Sequence, residues 1–199
     1  MKKILITGFD PFGGEAINPS WEAVKRMQAP EGIDLYKLQV PTEFERCLRV
    51  VEAAIREYRP DAVLCVGMAG GRDAVTPEMI GINMDDARIP DNAGDARQDT
   101  PVVAGGPAAY FATLPVKKMA KAIEDAGVKA RISYTAGTFV CNHLLYGLLH
   151  YAAENCPELK AGFIHVPALP EQAADPSRPS MPLEQIVTAL EAAVRACGE

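Results

Sequence analysis

Cys141 is the residue of this chain whose position best suits nucleophilic chemistry. It follows residues 136–140, where a strand is predicted to turn sharply, and it opens a predicted helix. A thiol at a helix N-terminus feels the positive end of the helix dipole and unpaired backbone N–H groups, so its pKa is expected to fall. The same N–H groups can hold a developing oxyanion. Local context therefore leaves two interpretations open, a cysteine nucleophile or a first-turn cysteine packed in the core.

A cysteine nucleophile needs a base, and the base needs a third group that fixes its tautomer. His165 is the candidate base, and Glu78 is the candidate third group. His165 ends the last predicted strand, and open α/β sheets bind ligands beyond the carboxyl ends of their strands. Glu78 lies among apolar residues just after a glycine-rich turn, and a carboxylate buried there should be paired. Position alone also allows a core histidine satisfied by backbone and a surface glutamate.

The remaining cysteines and histidines indicate neither a disulfide framework nor a metal site. Five cysteines are an odd number, widely spaced and without C-x-x-C, which argues against both disulfides and thiol exchange. Cys47 and Cys65 lie on apolar segments and are predicted to be core residues. His143 and His150 are seven residues apart on one predicted helix and are interpreted as a solvated face. No zinc-binding pattern is present in the sequence, so no metal and no cofactor are predicted.

Composition indicates an ordinary globular protein. The chain has 199 residues, of which 48% are apolar and 23% charged, so residues 1–199 are predicted to form one domain. The net charge of −6 argues against nucleic acid and anionic membranes as partners. No apolar run approaches the ~18 residues of a membrane span. The apolar start ends at Thr7, short of the ~7–15 residues of a signal-peptide core, so a cytoplasmic location is expected.

Strands and helices are predicted to alternate, which favours an α/β layered fold with a largely parallel, covered sheet. Strands are predicted over 2–7, 35–40, 62–67, 130–135 and 162–166, and helices over 19–27, 43–59, 115–126, 141–155 and 182–197. Asn18 with Pro19 is typical of a helix start, and residues 42–45 read as a capping box. Residues 75–104 are expected to be irregular and, at that length, a functional loop.

Several blocks, in order along essentially the whole chain, resemble the pyroglutamyl peptidase family, also called pyrrolidone carboxyl peptidases. The blocks are GFDPFGG at 8–14 with NP at 18–19, AGGR at 69–72, DARIPDN at 86–92, GPAAYF at 106–111, SYTAGTFVCNH at 133–143 and FIHVP at 163–167. The resemblance implies a single α/β/α sandwich around a twisted, largely parallel mixed sheet, and a homodimer or homotetramer.

The resemblance also implies a catalytic triad of Glu78, Cys141 and His165. The Cys141 thiolate would attack the carbonyl that joins an N-terminal pyroglutamate (5-oxoproline) to the next residue and form a thioester. His165 would act as base and then acid, with Glu78 holding its imidazole. Arg88 is implied beside the catalytic centre, polarising or positioning the substrate. Such an enzyme is expected to be inactivated by thiol alkylation and to resist chelators.

The implied substrate, a peptide with N-terminal pyroglutamate, predicts an unusual pocket. The lactam ring has an apolar body, one N–H, one C=O and no ammonium group, so its pocket should be aromatic and without acidic residues. By resemblance, Phe9 and Phe12 sandwich the ring, and Thr42, Phe139 and Val140 complete the pocket. From the sequence alone, ordinary packing beneath the first loop explains the two phenylalanines equally.

Three residues depart from the family pattern. After Glu78 the family typically has a basic residue and then, two positions later, an alanine; Met79 and Gly81 stand there instead. Met68 occupies a variable position in the glycine-rich turn, with Gln or Leu in relatives. None of these removes a catalytic group, but they bear on the packing of the loop and on subunit contacts.

Three other functions compete with a peptidase. One is a noncatalytic binder of N-blocked peptides on the same fold, and turnover distinguishes it. Another is a nucleoside phosphorylase-like enzyme, although the sequence has neither G-x-x-x-x-G-K-[ST] nor a strand-linked G-x-G-x-x-G. The third is redox sensing by Cys141, for which the resolving thiol would be Cys65, predicted to be locked in the core.

Overall fold

A five-stranded sheet forms the centre of the molecule, for which a computed structural model describes residues 1–173, 175 and 177–198. The strands are β1 (Lys2–Phe9), β2 (Ile33–Val40), β3 (Ala62–Met68), β4 (Thr76–Pro77), β5 (Ile80–Ile82), β6 (Ala109–Phe111) and β7 (Lys160–Val166). The helices are α1 (Pro19–Arg26), α2 (Phe44–Tyr58), α3 (Val116–Asp125), α4 (Val140–Asn155) and α5 (Leu183–Gly198). The central sheet has the order β2-β1-β3-β7-β4, parallel except for β4, while β5 and β6 form a separate antiparallel pair.

Helices cover both faces of this sheet, because successive side chains of each buried strand point to opposite faces. On β3, Leu64 and Val66 face the layer of α1, α3 and α5, whereas Val63 and Cys65 face the layer of α2 and α4. Every residue of β3 up to Gly67 is buried, as expected for a strand inside a sheet covered on both sides. The predicted fold class, an α/β/α sandwich around a largely parallel mixed sheet, is confirmed.

The strand predicted over 130–135 is wrong as a continuous element. The segment runs parallel to residues 75–79, but only two isolated bridges form, at Ala130 and Ser133. Arg131 donates its backbone N–H to Val75, and Ser133 donates to Pro77. Pro77 has no backbone N–H and cannot donate a hydrogen bond to the 130–135 segment, so the pairing of the two segments is interrupted there. The short strand β6 was not predicted.

The capping box predicted at 42–45 is also wrong. Glu43 occupies the N-cap of α2 without a side-chain hydrogen bond. The backbone N–H of Phe44 donates instead to Asp91 Oδ2, at 2.9 Å, and the Thr42 hydroxyl donates to the Asp10 carbonyl, at 3.2 Å. Asn18, by contrast, caps α1 as predicted, since its Oδ1 accepts from Ser20 N at 3.1 Å.

Most of the irregular stretch 75–104 is a loop, as predicted, and α4 fastens it. The side chain of Asn142 accepts from Ile82 N and donates to the carbonyls of Ile82 and Met84, at 2.9–3.0 Å. These bonds hold the loop against the first turn of α4. In the described part of the chain, no helix combines the length and apolar character that crossing a bilayer requires.

Candidate active site

The carboxyl ends of the parallel strands and the start of α4 meet at one edge of the sheet and enclose a cavity of about 160 Å³. Its lining residues are Phe9, Phe12, Asn18, Thr42, Met68, Ala136, Phe139, Cys141 and His165. This is the edge at which open α/β sheets bind ligands. The structure thus brings together six of the residues expected there: Phe9, Phe12, Thr42, Phe139, Cys141 and His165.

Cys141 packs its sulfur directly onto the backbone of β3. A Cβ added to Gly67 would lie 2.8 Å from Cys141 Sγ and 2.8 Å from the ring of Phe163, so only glycine fits at that position. Burial in this environment, reinforced by the nearby Glu78 charge, raises the pKa of the Cys141 thiol to about 12, although Arg72 acts in the opposite direction. The lowered pKa expected from the helix terminus is therefore wrong: removal from water outweighs the dipole.

His165 and Glu78 form a buried hydrogen-bonded pair, with 2.7 Å between His165 Nδ1 and Glu78 Oε1. Glu78 is 0% exposed and His165 3%, so Glu78 is not a surface glutamate. Burial opposes ionisation of Glu78, but the hydrogen bond and charge of His165, with hydrogen bonds from Ser133 and Arg72, leave its pKa lowered. Burial lowers the pKa of His165 despite the opposing effect of Glu78. The imidazole is therefore neutral near pH 7, with Nδ1 bound to Glu78 and Nε2 left for the cavity.

Arg72 binds the same oxygen of Glu78 that His165 binds, a role that was not predicted for it. Its Nη1 lies 2.7 Å from Glu78 Oε1 and also bonds the hydroxyl of Thr76. Its Nη2 donates to the Thr135 carbonyl at 3.1 Å. Arg72 is thus fixed by three groups and places a positive charge next to Glu78. The available signal was an arginine at the end of a glycine-rich turn, six residues before a glutamate in an apolar segment.

The cavity walls are largely aromatic, as the implied lactam substrate requires. The rings of Phe12 and Phe139 are 6.2 Å apart between centroids, and Phe9 lies 6.3 Å from Phe163 beneath them. The side chain of Asn18 is occupied, because it accepts from Ser20 and donates to the Asp10 carbonyl. Among the described residues, none that lines the cavity is acidic. The site therefore suits an uncharged, mostly apolar group.

Two expected residues do not line this cavity. Arg88 is exposed and absent from the lining. Val140 is fully buried in the core as the first residue of α4. A direct role of either side chain in binding is not supported by this geometry, and their assignment to the substrate stays a prediction.

His143 and His150 do not form the expected solvated face. His143 is 4% exposed, and its Nδ1 lies 2.8 Å from Asp85 Oδ2, an oxygen that also accepts from Arg97 Nη1 at 3.0 Å. His150 Nδ1 is 3.0 Å from the hydroxyl of Tyr110. The prediction was wrong because it assumed that a histidine without a carboxylate or thiolate nearby in the sequence is unpaired. The partner of His143, Asp85, comes from the distant loop.

This second carboxylate–histidine pair supports the wall of the cavity. The ring of Phe44 stands edge-on to Phe139, with centroids 5.4 Å apart, and edge-on to His143 at 5.5 Å. The guanidinium of Arg97 lies 4.9 Å from the centroid of Phe44. Phe139 therefore packs against Phe44, which in turn contacts the ion-paired side chains of His143 and Arg97.

Comparison with known proteins gives one consistent family. The family model described as "Pyroglutamyl peptidase" matches residues 2–199. A pyrrolidone-carboxylate peptidase of Brevibacillus brevis is 52% identical over 198 residues, covering 98% of this chain and 92% of the relative. One from Streptococcus pyogenes is 53% identical over 194 residues, covering 96% and 90%.

Solved structures agree with these sequence relatives. The crystal structure of pyroglutamyl peptidase I from Bacillus amyloliquefaciens is similar with a TM-score of 0.97 at 47% identity, covering 100% of this chain and 97% of the other. A mutant pyrrolidone carboxyl peptidase from the hyperthermophile Pyrococcus furiosus is similar with a TM-score of 0.93 at 39% identity, covering 98% and 97%.

Proposed function

Because this chain belongs to the pyroglutamyl peptidase family, we propose that Cys141, His165 and Glu78 carry out its reaction as nucleophile, base and orienting group. The activity is that of a cysteine peptidase that hydrolyses the bond after an N-terminal pyroglutamate. The observation that supports these roles best is the buried Glu78–His165 pair behind an aromatic cavity that His165 and Cys141 both line.

The reaction begins from a neutral thiol and a neutral imidazole. Since the pKa of Cys141 is raised and that of His165 lowered, no preformed thiolate is needed. His165 Nε2 removes the thiol proton as Sγ attacks the pyroglutamyl carbonyl carbon. The tetrahedral intermediate collapses, His165 returns the proton to the leaving nitrogen, and a thioester remains. Water, activated by His165, then releases 5-oxoproline and frees the thiol.

The first turn of α4 stabilises the oxyanion. Phe139 at the N-cap offers no side-chain hydrogen bond, and the first N–H groups of a helix have no partner within it. The backbone N–H groups of Val140 and Cys141 lie beside the nucleophile and serve the developing negative charge. Val140 thereby contributes through its backbone, although its side chain is in the core.

Specificity follows from what the cavity lacks. An ordinary N-terminal residue would bring an ammonium group among Phe9, Phe12 and Phe139, where no acidic residue among the described ones can pair with it. Burying a charged group without a partner is strongly unfavourable. The lactam nitrogen of pyroglutamate is uncharged, so the ring enters without this penalty.

Release of a fluorescent amine from its pyroglutamyl amide, measured beside the prolyl and alanyl amides, tests the function. Only the pyroglutamyl amide is expected to be cleaved, with the other two at least 10³-fold slower, since a buried unpaired charge costs several kcal/mol. Absence of turnover by folded, reduced protein that still binds the ring would instead favour a noncatalytic binder. Cleavage of all three amides would contradict the specificity argument.

The acid limb of the pH profile of kcat/KM should reflect the pKa of His165 and should shift when Arg72 is replaced. A protonated imidazole cannot accept the thiol proton, so kcat/KM falls as the pH drops through the pKa of His165, which burial places below its usual 6.5. The Arg72 charge also lowers this pKa, so Arg72→Gln should move the acid limb to higher pH. Arg72→Lys keeps the charge and serves as the matched control. An acid limb unchanged in Arg72→Gln would exclude this positioning role.

We further propose that residues 1–199 act as one catalytic domain that assembles into a dimer or tetramer in the cytoplasm. Phe111 and Tyr134 are 70% and 67% exposed, and exposed large apolar side chains favour subunit contacts. Five free cysteines, one of them the nucleophile, suit a reducing compartment.

A further inference from the structure

A second cavity of about 340 Å³ adjoins the catalytic one, and Met68 forms a wall of both. Its lining residues are Glu15, Met68, Gly70, Gly71, Ala168, Gln172, Ala173, Arg178 and Pro179. Met68 ends β3 and pairs with Val166 of β7, the residue after His165. Met68 therefore separates the second cavity from the catalytic one, and it lies one register position along the sheet from His165, which pairs with Gly67.

We propose that this second cavity binds the peptide on the carboxyl side of the scissile bond. The proposal rests on the function proposed above. The first cavity, at about 160 Å³, has less than half the volume of the second and is aromatic, so the peptide beyond the pyroglutamyl ring must lie elsewhere. The leaving nitrogen takes its proton from His165, so the chain departs on the side of His165, where Met68 separates the two cavities.

The walls of this cavity are braced to the loop that carries Phe12. Gln172 Nε2 donates to Glu15 Oε2 and to the Ile17 carbonyl, both at 3.2 Å, and Gln172 Oε1 accepts from Leu169 N at 3.2 Å. The segment after β7 and the loop after β1 are therefore joined across the cavity. A peptide lying there would contact both the pocket loop and the chain that follows the catalytic histidine.

One charged group of this cavity, Arg178, is suited to bind a carboxylate. Glu15 is engaged by Gln172, whereas the exposed guanidinium of Arg178 has no hydrogen-bond or ion-pair partner among the residues that the structure describes. Glu15 keeps its negative charge, because Gln172 is neutral, but the Arg178 guanidinium is the group of this cavity that can pair with a substrate carboxylate. We expect it to favour substrates with a carboxylate within the first residues after pyroglutamate, such as the C-terminus of a pyroglutamyl tripeptide.

The first arm of the test compares pyroglutamyl-Ala-Ala as the free acid and as the C-terminal amide. Wild-type protein is expected to prefer the acid in kcat/KM by about twofold to fivefold, the usual size of one exposed charge pair. Arg178→Gln should reduce this ratio to about one. Arg195→Gln, which removes an exposed arginine of α5 outside this cavity, should keep the wild-type ratio.

The second arm of the test uses a substitution that narrows the second cavity. A Cβ on Gly70 would meet only the Met68 sulfur, at an ordinary 3.8 Å, so Gly70→Val adds side-chain volume at a position that lines the second cavity and accommodates a Cβ. We expect a raised KM for the tripeptides while the inhibition constant of 2-pyrrolidone, the bare ring, is retained. If Gly70→Val weakened the binding of tripeptide and of 2-pyrrolidone equally, the proposal would be overturned. An acid-to-amide ratio of kcat/KM that is unchanged in Arg178→Gln would also overturn it. Failure of wild-type protein to cleave any pyroglutamyl amide would instead overturn the proposed function on which it rests.

Discussion

Replacing Cys141 with alanine is expected to lower kcat for a pyroglutamyl arylamide by about 10⁴-fold to 10⁶-fold, the loss typical of removing the nucleophile of a hydrolytic triad. Without Sγ no thioester forms, and only substrate binding and the α4 N–H groups remain to act on water. Cys141→Ser should be nearly as inactive, because a hydroxyl is a weaker acid than the thiol and His165 is held as a weak base by its lowered pKa. Steady-state kinetics with a thermal unfolding curve for each variant would measure this.

Cys156→Ser is the matched control for this loss. Cys156 is a free, half-buried cysteine at the opposite end of the same helix, so its replacement removes a thiol without touching the cavity. It should retain wild-type kcat and remain sensitive to iodoacetamide, whereas Cys141→Ser should lose both properties. Full activity in Cys141→Ser would show that another group attacks the substrate.

The positions of Cys141 and His165 were predictable because local sequence defines them. A helix start after a sharp turn and the last residues of an apolar strand both fall at the carboxyl edge of a parallel sheet, whatever the details of packing. The pairing of His165 with Glu78 was not predictable in this way, since 87 residues separate them. Position alone favoured a surface glutamate, and the family resemblance supplied the pairing.

Two of the failed predictions, the capping box at 42–45 and the solvated face of His143, failed because distant residues replaced local ones. Asp91 takes the N–H of Phe44 that a local cap was expected to take, and the Thr42 hydroxyl donates to the Asp10 carbonyl instead. Asp85 pairs with His143, and a helix-face pattern cannot reveal such a partner. In each case a carboxylate from the long loop satisfies a group on an α-helix, so the loop is part of the framework of the site.

The thiol of Cys141 shows how two local effects compete. The helix terminus favours the thiolate, but packing of Sγ against Gly67 of β3 and the nearby Glu78 charge raise the pKa of the thiol. In the proposed mechanism the thiol is therefore a weak nucleophile until His165 accepts its proton. The proposed mechanism therefore requires a neutral and correctly oriented imidazole, and we expect Glu78 to provide that orientation.

Glu78→Gln is expected to lower kcat by about 10³-fold to 10⁴-fold at pH 7, as when the orienting carboxylate of a triad becomes an amide. The carboxylate accepts the Nδ1 proton of His165 and so keeps Nε2 unprotonated toward Cys141. A glutamine amide can donate to Nδ1 instead, which favours the tautomer with its proton on Nε2. That tautomer cannot remove the thiol proton. The rate should be measured with the pyroglutamyl arylamide alongside the affinity for 2-pyrrolidone.

Binding of the bare ring separates this tautomer effect from general disruption of the site. Glu78 lies behind His165 and does not line the ring-binding cavity, so Glu78→Gln should retain affinity for 2-pyrrolidone while kcat falls. Arg72→Gln is the variant to compare with Glu78→Gln. It removes the other group bound to Glu78 Oε1 but leaves the carboxylate to orient the imidazole. It should shift the acid limb with a smaller loss of kcat. If Arg72→Gln lost as much kcat as Glu78→Gln at every pH, the carboxylate would act mainly as a partner for arginine, and its control of the His165 tautomer would be refuted.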